Sequence, residues 1–243
     1  MYLIKLNAVT STNDYLKSLA SKQYLENFTV ITARNQTAGK GQMGASWVSE
    51  PDKNMIASIL VKDILTNVNE VFHLNIITSV AMLDTLNSLK LTEISIKWPN
   101  DIMSGSKKIG GILIENIFKS NQEIFSIIGV GLNVNQTKFD DLKKASSLCL
   151  IYNRTFDLEE ILNVFVEKLR FYIAGYLSGQ KNNIWDYYHK NLFKINTPMP
   201  FEQPDGSRFM GIIKGVNESG KLKVQFENDS IQLFGLKELT LLY

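Results

Sequence analysis

The chain has 243 residues, 44% of them hydrophobic, and a formal net charge of +2. That bounds one sizeable domain with a small appendage, and the near-neutral charge gives no ground for a nucleic-acid or anionic-membrane partner. A single cysteine, Cys149, excludes an intramolecular disulfide, and the two separated histidines, His73 and His189, cannot assemble a zinc site.

No stretch reaches the roughly 18 apolar residues of a membrane span. The N-terminal residues also lack the basic start and apolar core of a signal peptide, so a cytoplasmic protein is expected. In chain order, Tyr2 to Val9 reads as a strand, and Thr10-Ser11-Thr12-Asn13-Asp14 opens a helix to about Ala20. Ser11 with Asp14 three residues on resembles a capping box. Phe28 to Ala33 is rich in strand formers. It runs into the loop Gln36-Thr37-Ala38-Gly39-Lys40-Gly41-Gln42-Met43-Gly44-Ala45-Ser46-Trp47, which packs three glycines into six residues. Glycines let a backbone approach a ligand and turn its amides toward an anion. Met55 to Val61 after the loop reads as a strand, whereas a Rossmann or Walker phosphate loop runs straight into a helix.

Glu70 to Leu89 carries a helical apolar stripe at positions 72, 76, 80, 83 and 86. Ile94 to Trp98, Ile109 to Ile117 and Glu123 to Val130 read as strands, the last two joined by a polar turn around Ser120-Asn121. Asp157 to about Leu177 is a long amphipathic helix begun by acidic residues that suit its N-terminal dipole, and Asn183 to Phe193 is a second. At Asn196-Thr197-Pro198-Met199-Pro200 two prolines break the pattern. Beyond them lie short strands (Phe209 to Val216, Leu222 to Phe226, Ile231 to Phe234) with turn signals at Asp205-Gly206 and Ser219-Gly220. The expected division is residues 1–195 and a small β module, 196–243, which has too little core to stand alone and docks on the larger part.

Five blocks occur in order: Ser11-Thr12-Asn13; Gln36 to Gln42; Lys97-Trp98-Pro99-Asn100-Asp101; Lys108-Ile109-Gly110-Gly111 through Glu115; and Gly129-Val130-Gly131-Leu132-Asn133-Val134-Asn135. Together, over about residues 3–135, they closely resemble biotin protein ligases, and the β tail is similar to that family's SH3-like C-terminal domain. The resemblance implies an α+β fold: a mixed β-sheet catalytic domain with flanking helices, of the class II synthetase-like biotin/lipoate ligase kind, plus a small SH3-like β-barrel. Some members carry an N-terminal winged helix; with the first block at residue 11, none is expected here, nor is a nucleic-acid partner.

The implied reaction joins biotin to ATP as biotinyl-5′-AMP, then passes biotin to a lysine of a biotin carboxyl carrier domain. Two anions must meet. At about 4 Å and an effective dielectric of about 20 their repulsion is about 4 kcal/mol, which positioned cations offset. The resemblance assigns this work to Lys108, Lys97 and Lys40. It makes Ser11, Thr12, Asn13, Gln36, Gly39, Lys40, Gly41, Gln42, Lys108, Gly111 and Gly131 the biotin contacts. It places Lys40, Trp47, Asn100, Asp101 and Asn133 on the ATP side, with Asp101 either reaching Mg²⁺ through water or orienting a lysine. Ser11 also reads as a plain helix cap, and Trp98 as a brace for the turn that aims Asn100 and Asp101. The family usually has arginine at position 40, so Lys40 keeps the charge and loses the bidentate fork. A lipoate–protein ligase and a non-catalytic biotin- or nucleotide-binding regulator are the alternative readings. Monomer and homodimer both remain open.

Overall fold

The computed structural model describes residues 2–65, 70–118, 123–140 and 142–243. The polar turn expected around Ser120-Asn121 lies outside them.

The elements are β1 (Tyr2–Val9), α1 (Thr12–Lys22), β2 (Thr29–Gln36), β3 (Gly39–Lys40), β4 (Ser46–Trp47), β5 (Asn54–Lys62), α2 (Val71–Ser88), β6 (Ile94–Lys97), β7 (Asp101–Ser104), β8 (Lys107–Phe118), β9 (Ile124–Asn133), α3 (Leu148–Tyr152), α4 (Leu158–Leu177), α5 (Lys181–Lys190), β10 (Pro198–Glu202), β11 (Arg208–Val216), β12 (Leu222–Gln225), β13 (Ile231–Phe234) and β14 (Thr240–Leu241). A seven-stranded sheet runs β1-β2-β5-β9-β8-β7-β6. Its β1–β2 pair is parallel and the other pairs antiparallel, so the sheet is mixed. A separate five-stranded antiparallel sheet, ordered β13-β12-β11-β10-β14, forms the C-terminal module.

The large sheet has two different faces. β5 is buried at all nine positions, as a central strand covered on both sides must be. One face presents Met55, Ala57, Ile59 and Val61 of β5 with Ile128, Val130 and Leu132 of β9, and packs into the main core with α2, α4 and α5. α2 lies inside this layer and buries most of its circumference, which is why its apolar residues spill beyond a single stripe. On the other face, α1 covers a smaller cluster of Leu16, Leu25, Ile31, Leu60 and Ile127. Ser11 caps α1, its Oγ accepting from Asp14 N at 3.4 Å. Asp157 caps α4, accepting from Glu159 N and Glu160 N.

Several short elements escaped the sequence pattern. β7 has four residues with Asp101 and Ser104 at its ends, too few to show a period. β10 forms at the two prolines, where the sequence predicts a break. Pro198 and Pro200 stand opposite Ile212 and Met210 of β11, while β14 pairs with Phe201 and Glu202 along the other edge of β10. α5 ends at Lys190 rather than Phe193 because the following residues join β6: Ile96 N donates to Asn191 O and Phe193 N to Ile96 O.

The C-terminal sheet docks through specific contacts. Trp98 Nε1 donates to Gly220 O at 2.9 Å, so this tryptophan ties the two sheets together as well as flanking its own turn. Gly220 has φ +84°, and a Cβ there would lie 2.6 Å from the ring of Phe72 on α2. The Nε2 of His189 lies 3.1 Å from both the amide and the carbonyl of Val216. His73, on α2, is buried with its Nδ1 2.8 Å from Tyr176 Oη. Both histidines thus serve the structure.

Burial lowers the pKa of His73, with Lys181 acting the same way and Glu70 and Glu218 opposing. Burial likewise lowers His189, with the Val216 backbone and Asp186 opposing. The unfolded chain therefore binds protons that the folded chain refuses. Stability is full above the ordinary histidine value of 6.5 and falls as pH drops below it. The expected result is a melting temperature that declines between about pH 7 and pH 5, with a shallower decline in His189→Gln. A melting temperature that rose on acidification over that range would contradict the assignment.

Candidate active site

The α1 face of the sheet is carved by side-chain size. Paired rows across β5, β9 and β8 share this face: Leu60, Ile127 and Glu115; then Ser58, Gly129 and Leu113; then Ile56, Gly131 and Gly111. Under α1 the positions are bulky, and beyond its N-terminus they shrink to serine and glycine. The result is a cavity of about 200 Å³. It is lined by Ser11, Thr12, Asn13, Gln36, Lys40, Gly41, Gln42, Trp47, Asn100, Lys108, Gly111 and Gly131, together with Ala45, Ser46, Ile56, Ala57, Ile112, Leu113, Gly129 and Val130. Gly39, named among the contacts, is not in this lining; it pairs with Trp47 in the β3–β4 hairpin.

One end of the cavity is a polar hydrogen-bonded cluster. Gln36 Oε1 accepts from Thr12 N at 2.7 Å and from Thr12 Oγ1 at 3.0 Å. Asn13 Nδ2 donates to Glu115 Oε2 at 2.9 Å, and its Oδ1 accepts from Ser58 Oγ at 2.6 Å. Ser58 lies outside the five sequence blocks, whereas Glu115 and Gly129 fall within them without an assigned role. The visible signal for Ser58 is a hydroxyl within the apolar run Met55 to Val61. Ser11 both caps α1 and lines the cavity.

The other end is cationic. Asp101 lies between two lysines, with Lys108 Nζ 2.5 Å from Oδ1 and Lys97 Nζ 3.3 Å from Oδ2. Its side chain is 14% exposed. A β-bulge aims Lys108. Asp101 pairs with Gly111 and Ile102 with Gly110, but Met103 pairs with Lys108, so Ile109 is extra. Residues 108 and 111 would face opposite ways on a regular strand; the bulge puts both on the cavity. The turn before Asp101 is clamped. Asn75 Nδ2 donates to Pro99 O at 3.0 Å, Asn100 Nδ2 to Ile112 O at 2.7 Å, and Ile112 N to Asn100 O at 3.0 Å. Lys97 itself lines a neighbouring cleft between the two sheets rather than the first cavity.

The hairpin carrying Lys40 and Trp47 closes over this floor. Lys40 Nζ bonds Asp14 Oδ1 at 2.8 Å, and that hydrogen bond raises its pKa above the ordinary lysine value. Trp47 lies against the glycine floor: a Cβ on Gly131 would be 2.5 Å from its ring. Its Nε1 is buried with no hydrogen-bond partner. Trp47 and Lys108 border a second cavity as well, which also takes in Asn133, Phe139, Leu142, Lys143, Lys144 and Tyr243. Asn133 is therefore placed there and not in the first cavity, its Nδ2 donating to Ser146 O at 3.1 Å.

Magnesium does not find a cage in these residues. Asp101 is committed to two ammonium groups and Asp14 to Lys40. No group of three or more His, Cys, Asp or Glu among the described residues could hold a metal ion. Asp101 contacts the ammonium groups of Lys97 and Lys108. Magnesium held mainly by phosphates would arrive with the nucleotide.

A mixed sheet whose glycine-floored face ends at a lysine–carboxylate–lysine cluster under a Gly-rich hairpin describes a site for a small acid and an anion. A model of the Biotin/lipoate A/B protein ligase family matches residues 6–133. The chain belongs to that family. Among curated relatives, it is 29% identical over 216 residues to the biotin–[acetyl-CoA-carboxylase] ligase of Mycobacterium tuberculosis, covering 87% of this chain and 79% of the relative. It is 28% identical over 232 residues to the bifunctional ligase/repressor BirA of Bacillus spizizenii, covering 92% and 69%. In fold it is similar to the Aquifex aeolicus biotin protein ligase solved with biotin and ATP (TM-score 0.80, 22% identity, 99% and 98% of the two chains).

The contact of Trp47 with the floor is directly testable. Gly131→Ala forces the ring away and should release the hairpin. Hydrogen exchange across residues 39–47 is expected to rise roughly tenfold, about 1.4 kcal/mol of local stability, with the global melting temperature nearly unchanged. Unaltered exchange in that hairpin would show that the ring does not rest on Gly131.

Proposed function

We propose that the protein is a biotin–protein ligase that activates biotin with ATP and transfers it to a lysine of a biotin carboxyl carrier domain. The observation that carries this reading is the place of Lys108. Among the described residues it is the charged side chain lining both cavities, at the point where an acid in the first would meet a nucleotide in the second.

In the first step a carboxylate oxygen of biotin attacks the α-phosphorus of ATP. A C–O–P bond forms, the bond to the β-phosphate oxygen breaks, and pyrophosphate leaves. Lys108 offsets the repulsion between the two anions and stabilises the charge developing on the α-phosphate. Lys97 faces the departing phosphates, and Asp101 keeps both ammonium groups on the reaction side. Lys40 closes over the product. In the second step the neutral ε-amine of the acceptor lysine attacks the acyl carbon, AMP leaves, and the amine gives up a proton.

The polar end of the first cavity favours biotin over lipoate. Thr12, Asn13 and Gln36, which line it, offer donors and acceptors that a ureido ring can use, whereas a dithiolane ring offers neither N–H nor carbonyl. Gly111 and Gly131 let the bicycle lie against backbone. Trp47 and Asn133 serve the nucleotide side with Asn100. Residues 1–195 form the catalytic part and 196–243 the C-terminal domain. The protein works in the cytoplasm, as monomer or homodimer, and acts on a protein rather than on nucleic acid. No helix among the described residues is long and apolar enough to cross a membrane.

The test is ATP–pyrophosphate exchange with biotin and with lipoate. Exchange with biotin alone is expected; exchange with lipoate alone overturns the substrate. Lys108→Ala should abolish exchange in a protein that still folds. Asp101→Asn should lower its rate on the order of a hundredfold by freeing both lysines. Full activity in Lys108→Ala would sink the assigned mechanism.

A further inference from the structure

The second cavity is walled by a residue from the other sheet. Tyr243 follows β14, where Leu242 N donates to Pro200 O at 3.0 Å and fixes the segment to β10. Its ring packs edge-on against Phe193, with centroids 5.0 Å apart. Two ammonium groups lie over it, Lys144 Nζ at 4.1 Å from the ring centroid and Lys97 Nζ at 5.5 Å.

These two lysines come from unrelated parts of the chain. Lys97 ends β6 and pairs with Asp101. Lys144 is delivered by a segment laid along the start of β8, where Lys108 N donates to Lys144 O at 2.8 Å and Ser146 N to Lys108 O at 3.0 Å. Lys144 lines the second cavity with Tyr243, and Lys97 lines the adjoining cleft between the sheets. Two like charges gathered in one place repel each other unless something negative lies between them. The face of an aromatic ring supplies a weak, fixed negative surface for each, worth about 0.5–1 kcal/mol at an exposed site. Burial and the nearby Asp101 carboxylate raise the Tyr243 phenol above its ordinary value of 10.0. The ring therefore stays neutral at working pH and adds no charge of its own.

We propose that Tyr243 is a positioning residue for ATP: its ring holds Lys144 and Lys97 toward the phosphates, so that the C-terminal sheet sets nucleotide affinity without touching biotin. The identity of the ligand rests on the ligase reading, whereas the coupling between ring and lysines is a property of the fold. Lys144 acts as a further phosphate contact beside Lys108 and Lys97. Neither Tyr243 nor Lys144 belongs to the five sequence blocks, so this part of the site is carried by tertiary structure alone.

The experiment is titration of the full chain with MgATP and, separately, with biotin, by calorimetry. Tyr243→Ala should weaken ATP roughly tenfold, the sum of two such contacts, and leave biotin affinity unchanged. Tyr243→Phe, which keeps the ring, should restore ATP affinity to within about twofold. Lys144→Ala should weaken ATP as well, and the double variant with Tyr243→Ala should lose less than the sum of the two. If Tyr243→Ala fails to fold, the comparison of Tyr243→Phe and Lys144→Ala with the wild type still decides. The proposal is overturned if ATP and biotin weaken together, if Tyr243→Phe behaves as Tyr243→Ala, or if Lys144→Ala binds ATP normally. A wild-type chain that binds ATP yet shows no biotin-dependent exchange overturns the ligase reading alone; one that does not bind ATP overturns both.

Discussion

Asp101 is the hinge of the electrostatics. A carboxylate largely withdrawn from water needs compensation, and here it receives it from two lysines at once. In exchange it fixes two long, flexible side chains that would otherwise sample many rotamers. This works because of how the backbone is laid out around it. A clamped turn ends at Asn100, β7 begins at Asp101, and a bulge on the neighbouring strand swings Lys108 round to meet it. Remove the bulge and Lys108 points to the other face of the sheet, toward the core, where an ammonium group has no place. The two cations are thus set in advance, which spares the reaction the reorganisation that water would demand.

Around that cluster the sheet divides its labour. The face toward α2, α4 and α5 is mainly apolar and holds the molecule together. The face toward α1 is apolar only where α1 covers it. Past the N-terminus of α1 the strands switch to Ser58, Gly129, Gly131 and Gly111, and the room they give up is taken by ligand space and by Trp47. The same helix end supplies Thr12 and Asn13 to the polar cluster. Capping the helix and furnishing the cavity are therefore one arrangement, seen from two sides.

The long elements were legible because their periods are strong. β1 was read to the residue, and α2, α4, β5, β8 and β9 within a few residues of their ends. The ladder partners that decide β7, β10 and β14 are far away in sequence, and no local pattern announces them. Within the site, the blocks carried Lys108, Gln36, Thr12 and Asn13 because glycine, proline and charge in fixed spacing are rare for any other reason. Gly39, Lys97 and Asn133 fell within the same blocks yet stand outside the first cavity, since order along a chain says nothing of which side of a strand a residue takes. Ser58 lies outside the blocks, and it and Glu115 gain a role only once Asn13, their hydrogen-bond partner, has a position. Tyr243 and Lys144 meet across two sheets and leave no mark at all in linear order.

The apolar core is one body. Phe201, Ile213, Val216, Leu222, Val224 and Phe234 of the small sheet belong to the same buried cluster as the helices and the main sheet. A hinge needs a seam where few apolar contacts cross, and here the shared cluster spans the seam beside the cleft between the sheets. Swinging the C-terminal sheet away as a rigid lid would bare that cluster to water. Rearrangement in the hairpin, which shares none of that cluster, costs less apolar burial than separation of the two sheets.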